Sequence, residues 1–188
     1  MITPKNLEHI VRTQRTLKYK GSMLSMYADT IQVPNGNVAE WDFIDHKGAA
    51  AVVPVMDDGR IVMVRQFRNA LDRETLEIPA GGLNKDEPAI VAAARELEEE
   101  TGYYSDKLEP LISIATAVAF CNEIIDIYVA SDLKKTHQNL DEDEYINVEM
   151  YYPEELAEMI YKGQIQDSKT ISAIMSYINK YGHILSHK

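Results

Sequence analysis

Cysteine is nearly absent: Cys121 is the only one among 188 residues, so no intrachain disulfide can form. Cations are scarce as well. Nineteen Lys and Arg stand against 30 Asp and Glu, for a formal net charge of −11. That balance argues against non-specific nucleic-acid binding and against docking on an anionic membrane surface. It still allows a small anionic substrate, because a bound metal inverts the local field. There is no apolar run of transmembrane length, no internal repeat and no low-complexity stretch. The first residues carry no apolar signal-peptide core, so a cytoplasmic protein is expected. Apolar material is plentiful, at 45% of residues, which suits one domain or one domain with a small appendage.

Periodicity and turn residues divide the chain. Residues 1 to about 20 are polar and basic, with Arg12, Arg15, Lys18 and Lys20. Met23 to Val33 reads as a strand, Pro34-Asn35-Gly36 as a hairpin turn, and Val38 to Ile44 as the returning strand. This β-hairpin, residues 1–47, is expected to be an N-terminal appendage to a main domain over 48–188. In the main domain, strands are expected at Ala49–Met56, Arg60–Phe67, Leu76–Ala80, Leu111–Val118, Glu123–Ala130 and Ile146–Tyr151. Lys134 to Glu144 reads as a polar loop ending in Asp141-Glu142-Asp143-Glu144. Helices are expected at Pro153–Lys162, stopped by Gly163, and from Ser168 to about Tyr181. Strands mixed with helices give an α/β sandwich, a mixed sheet with helices on its faces.

The most informative stretch runs from Gly81 to Tyr103. Pro88 suits a first helical turn, Asp86 and Glu87 complement the helix dipole, and Gly102 is a natural stop. Ile90, Ala94, Leu97 and Thr101 recur at helical spacing as an apolar stripe. Glu96, Glu99 and Glu100 share another face, and Glu98 points to solvent. Carboxylates at this density repel one another unless something cationic binds them. Hard divalent ions such as magnesium prefer clustered carboxylate oxygens.

Gly81, Glu87, Arg95, Glu96, Leu97, Glu99, Glu100, Gly102 and Tyr103 fit the pattern G-x5-E-x7-R-E-U-x-E-E-x-G-U, U being apolar, at every specified position. The chain therefore resembles the Nudix hydrolases. Val64-Arg65-Gln66-Phe67-Arg68 and Leu76-Glu77-Ile78-Pro79-Ala80-Gly81 resemble their ADP-ribose pyrophosphatase branch, as does the C-terminal Asp167-Ser-Lys-Thr-Ile-Ser-Ala. The resemblance implies a Nudix-type α/β/α sandwich. It implies metal-dependent hydrolysis of a nucleoside diphosphate sugar, with ADP-ribose giving AMP and ribose 5-phosphate. The implied cofactor is Mg2+, with Mn2+ as a substitute.

Carried over position by position, Glu96, Glu99, Glu100 and the Ala80 carbonyl become metal ligands. Glu144 becomes a ligand or base, and Glu142 the alternative base; a solvated acidic run is the other reading of that loop. Glu99 and Arg95 join the catalytic set, Arg95 pairing with a ligating carboxylate while it and Glu87 support the loop–helix geometry. Arg68 is expected on the substrate's phosphates, and Glu77 on a base or ribose. Trp41 either stacks on adenine across a dimer interface or packs in the hairpin or dimer core, and Tyr27 is a second stacking candidate. In this branch the hairpin exchanges between two subunits, so a homodimer is implied. The match departs at Val118-Ala119, where members of the branch acting on ADP-ribose commonly carry a proline, often Pro-Gly. GDP-mannose or another sugar nucleotide is the alternative substrate, with Phe120 and Asn122 as contacts. A nucleotide-binding module without catalysis would be expected to have lost box residues, and none is lost.

Overall fold

The computed structural model describes residues 9–21, 24–142 and 144–185. Its chain forms two compact units. One comprises the chain up to Lys47 with Ala117–Glu123, the other Gly48–Thr116 with Ile124 onward.

The first unit is built on three antiparallel strands in the order β1 (Val11–Lys20), β2 (Ser25–Gln32) and β3 (Val38–Asp45). The expected hairpin is β2–β3, turning at Gly36 with φ +85°. Met23, expected at the start of β2, lies outside the described residues. The polar, basic β1 corrects the two-stranded expectation. Two register shifts, between Arg12 and Gln14 and between Leu17 and Tyr19, break the alternation that marks a strand. Its charges suit an edge, and Arg15 grips Asp29 through two bonds of 2.6 Å. Segment 117–123 joins this unit: Ile44 N donates to Phe120 O at 2.7 Å, and Ile44 bridges Cys121 in parallel.

The second unit holds a four-stranded sheet, β7 (Ala80–Gly82), β4 (Ala49–Pro54), β10 (Ile124–Ser131) and β9 (Lys107–Ala115), in that order. β4 and β10 are parallel and the other pairs antiparallel, so the sheet is mixed. A three-stranded sheet runs β12 (Ile146–Tyr151), β5 (Ile61–Arg68) and β6 (Arg73–Glu77). β8 (Tyr103–Tyr104) and β11 (Lys134–Lys135) make a small pair.

Strand β4 explains the layering. All six of its residues are buried, and successive side chains face opposite ways. Ala50 and Val52 pack with Ala92, Ala93 and Leu97 of helix α1 (Ala89–Thr101). Ala49, Ala51 and Val53 pack with Ile61, Met63 and Ile78. The same cluster holds Leu156 of α2 (Pro153–Tyr161), and Ala173 and Ile174 of α3 (Ser168–Leu185). Helices thus cover both sides of β4, the α/β/α sandwich expected of the chain.

Candidate functional site

Helix α1 starts where Pro88 acts as N-cap and stops at Gly102, whose φ of +67° only glycine adopts freely. Its buried stripe is rotated from the expected one. Ala92, Ala93, Leu97, Glu100 and Thr101 are buried, whereas Ile90 is exposed. The two alanines let the helix lie close on β4, so the small residues rather than Ile90 define the packed face. Glu100 is therefore not on a solvated polar face: it is 4% exposed. Glu98, expected in solvent, is half-buried.

The glutamates of α1 meet the strand end before it. Glu100 Oε2 accepts a hydrogen bond from Ala80 N at 3.0 Å. Glu96 lies so close to Gly81 that a methyl group there would collide with its carboxylate, which gives the glycine a steric reason. Arg95 is the counter-charge. Its Nη1 donates to Glu96 Oε1 at 2.7 Å and to Glu99 Oε2 at 2.8 Å, while Nε and Nη2 reach Glu87 at 3.0 and 3.1 Å. Glu87 in turn accepts from Asn84 N at 2.8 Å, tying the loop to the helix.

Electrostatics single out two of these groups. Burial pushes the Glu100 carboxyl up to about 8, and the charges of Glu96 and Glu144 add to that against the Ala80 amide and Arg68. Burial also raises Glu96; Arg95 opposes this, while Glu99 and Glu144 reinforce it. Glu144 is exposed, its Oε2 accepting from Asp141 N at 3.3 Å, and its field reaches both Glu96 and Glu100. Glu142 is exposed and makes no hydrogen bond or ion pair with a described residue. Asp143 lies outside the described residues.

Among the described residues, no three His, Cys, Asp or Glu side chains converge closely enough to form a ready cage for an ion. Arg95 accounts for part of this, since it already occupies Glu96 and Glu99. The donor set nevertheless fits a hard divalent cation. It is all oxygen, and Glu96, Glu100 and Glu144 repel one another in a way that added positive charge relieves.

Two expected substrate contacts already have partners within the protein. Glu77, expected on a base or ribose, is 2% exposed. Its Oε1 accepts from Arg68 Nε at 2.8 Å and Thr75 Oγ1 at 2.6 Å; its Oε2 accepts from Arg68 Nη2 at 2.7 Å and from Lys169 Nζ. Burial opposes ionisation, yet Arg68, Lys169 and Thr75 together hold the carboxyl at about 2. Both oxygens are spent inside the protein. Asn122 is likewise occupied: Oδ1 accepts from His46 N at 2.7 Å and Nδ2 donates to Asp45 at 3.1 Å. Phe120 remains exposed.

The two expected stacking residues, Trp41 and Tyr27, belong to the first unit. Trp41 stands opposite Asp29 on β3 and is 48% exposed. Tyr27 faces Phe43 at 6.1 Å between ring centroids, with Arg15 over both rings. Sequence reasoning missed Lys169. A lysine in the first turn of α3 opposes the helix dipole, and that misplacement was the available signal.

Comparison with known proteins gives the family. The family model of the NUDIX domain matches residues 45–174. The chain is 39% identical over 169 residues to a methanol dehydrogenase activator of Bacillus methanolicus, covering 89% of this chain and 90% of the relative. It is 37% identical over 158 residues to an ADP-ribose pyrophosphatase of Bacillus subtilis (strain 168), covering 83% and 85%. A crystal structure of an ADP compounds hydrolase superposes with a TM-score of 0.85 at 18% identity, covering 96% of this chain and 98% of that one, a likeness of fold. With its domain model matched across most of the chain and its glutamate helix complete, this protein belongs to the Nudix family.

Proposed function

We propose that the chain hydrolyses the pyrophosphate bond of a nucleoside diphosphate sugar, with ADP-ribose the lead substrate and AMP and ribose 5-phosphate the products. The observation that carries this reading is the glutamate cluster of α1: Glu100, raised by burial and by the charge of Glu96, accepts from Ala80 N, and Glu96, raised by burial, lies against Gly81. The 37% identical ADP-ribose pyrophosphatase supports the substrate class. The metal is read as Mg2+, with Mn2+ as a substitute.

A divalent cation bound here would neutralise the pyrophosphate and lower the pKa of a water. Glu96, Glu99, Glu100 and the Ala80 carbonyl would hold it. The protein's own groups do the remainder. Arg95 fixes the Glu96 and Glu99 rotamers through Nη1 and anchors the loop through Glu87. Glu144, exposed and within electrostatic reach of Glu96 and Glu100, would accept the proton of the attacking water at a carboxylate oxygen, with Glu142 as the alternative. Arg68 keeps Nη1 free of described partners and offers it to a phosphate oxygen.

The first unit is read as a dimerisation appendage and Trp41 as an adenine-stacking residue across that interface. A small sheet with its edge strand β1 exposed gains stability from a partner. A monomer mass at micromolar concentration would count against the homodimer. The reading includes a cytoplasmic location; among the described residues no helix is long and apolar enough to cross a membrane.

Incubation with Mg2+ and a panel of ADP-ribose, GDP-mannose, UDP-glucose, NADH and diadenosine polyphosphates, measuring nucleoside monophosphate release, tests the reading. Preferred cleavage of ADP-ribose supports it. Preference for GDP-mannose would move specificity to segment 117–123, where Val118 and Phe120 are exposed. The activator from Bacillus methanolicus brings a second reading, regulation of a partner enzyme. Activation of a methanol dehydrogenase that survives Glu100→Gln would favour that one.

A further inference from the structure

Arg68 closes strand β5, and its guanidinium is held by one edge only. Nε and Nη2 take the two oxygens of Glu77, and Nη1 makes no hydrogen bond with a described residue. The free end lies in the field of Glu100, since the two groups perturb each other. Glu77 and the neighbouring Asp167 set two negative charges against the single positive charge of Arg68. Here a second cation stands behind the carboxylate: Lys169, itself 8% exposed, donates to Glu77 Oε2 and to Asp167 Oδ2, the latter at 3.0 Å.

The relay continues to the strand end that carries the glutamate site. Asp167 Oδ2 also accepts from Thr170 N at 3.0 Å and Thr170 Oγ1 at 2.6 Å. Thr170 Oγ1 accepts from Ile78 N at 3.0 Å, two residues before Ala80. One chain of hydrogen bonds therefore runs from Ile78 through Thr170, Asp167, Lys169 and Glu77 to Arg68. Every side chain in it apart from Arg68 and Asp167 is buried. A lysine in the first turn of a helix sits at the wrong end of the dipole. A burial this costly needs a return beyond capping, which Asp167 already supplies.

We propose that Lys169, seated by Asp167, is a positioning residue: it fixes Glu77 so that Arg68 presents Nη1 to a phosphate of the substrate. This rests on the sugar-nucleotide reading above. Lys169 touches no substrate. It keeps the cluster of Arg68, Glu77, Lys169 and Asp167 neutral as a whole, so that Arg68 does not surrender its charge to Glu77 alone. Loss of the lysine leaves the cluster one charge more negative where an anion must dock, and the effect falls on substrate capture.

The experiment pairs Lys169→Met, Lys169→Gln and Lys169→Arg with Arg68→Lys in the full chain. Thermal midpoints establish that each variant folds. Lys169→Gln removes the charge and keeps a polar donor on a shorter side chain, so it serves where Lys169→Met fails to fold. The first readout is solvent exchange of the Arg68 Nε–H by nitrogen-15 NMR, which needs no substrate. Exchange accelerated about tenfold in Lys169→Met or Lys169→Gln and restored in Lys169→Arg is the expected result. The second readout is steady-state kinetics in Mg2+ with the sugar nucleotide that the native chain cleaves best. KM should rise about tenfold with kcat held within about twofold, and the Arg68→Lys background should abolish the difference. Unchanged Arg68 exchange overturns the proposal, and so does an equal KM rise in the Arg68→Lys background. A native chain that cleaves no sugar nucleotide defeats the proposed function, and the exchange measurement still decides the positioning of Arg68.

Discussion

Glu100 Oε2 accepts a hydrogen bond from Ala80 N at 3.0 Å, and this bond joins the last turn of α1 to the first residue of β7. Arg68 adds attraction from further off, yet the carboxylate is 4% exposed and is pushed up to about 8 by burial and by Glu96 and Glu144. The protein holds a poorly compensated charge where a cation would repay it. Glu100→Gln keeps an acceptor for Ala80 and deletes the charge. It should raise the melting temperature of the metal-free protein at pH 8 and cut turnover by about two orders of magnitude or more. Glu98→Gln, on a neighbouring face, should be near neutral in both. Paired melting curves and initial rates decide it, and equal behaviour of the two variants would refute the assignment of faces.

The same shift sets a pH dependence. An unfolded glutamate titrates near its ordinary value of about 4.3, and Glu100 folded titrates at about 8. The folded state thus keeps its proton longer, so stability falls as pH rises between those values. Glu77 and Glu87, both held at about 2, act in the opposite sense: their contribution is present above the ordinary value and is lost as pH falls towards 2. Denaturation of the metal-free protein should therefore show greatest stability near the ordinary glutamate range and a decline towards pH 8. Millimolar Mg2+ should remove most of the alkaline decline, and Glu100→Gln should flatten it without metal.

Much of this was legible in the sequence, for identifiable reasons. Gly102 announces the helix stop because only glycine tolerates its φ of +67° without strain. The alternation around Trp41 and Phe43 announces β3, and Asn35-Gly36 its turn. Strand β1 was hidden because its register shifts break the period and its exposed residues leave no apolar face to read. The stripe on α1 was misjudged at Ile90 because hydrophobicity does not report how closely Ala92 and Ala93 let the helix approach β4. The pairing of Glu77 with Lys169 was hidden because the two lie 92 residues apart, a pairing no local pattern encodes. That separation also hid the positioning relay around Arg68.

Gly81 is a steric requirement of the glutamate site. A Cβ there would run into the Glu96 carboxylate, the far end of a side chain that can swing away. Gly81→Ala should therefore fold while displacing Glu96 from Arg95. Calorimetry should show Mg2+ affinity lowered by about tenfold or more, the range associated with misplaced metal-site groups. A folded Gly81→Ala chain with native Mg2+ affinity would remove Glu96 from the metal site.

Arg95 stands between fold and chemistry, because one guanidinium serves Glu87, Glu96, Glu99 and the Gly82 carbonyl together. Its carboxylate partners hold it firmly protonated, with the Glu87 hydrogen bond the largest cause and burial working against it. Lysine keeps the charge but lacks the planar fork, so it cannot hold Glu87 side-on while reaching Glu96 and Glu99. Arg95→Lys should destabilise the metal-free protein by about 1–3 kcal/mol in chemical denaturation, the scale of lost charged hydrogen bonds. With Mg2+ present the loss should shrink, because the ion takes over the repulsion between Glu96 and Glu99 that the arginine otherwise relieves. Denaturation curves with and without Mg2+ separate the two roles. A loss unaffected by the ion would confine Arg95 to the Glu87 loop and take it out of the glutamate cluster.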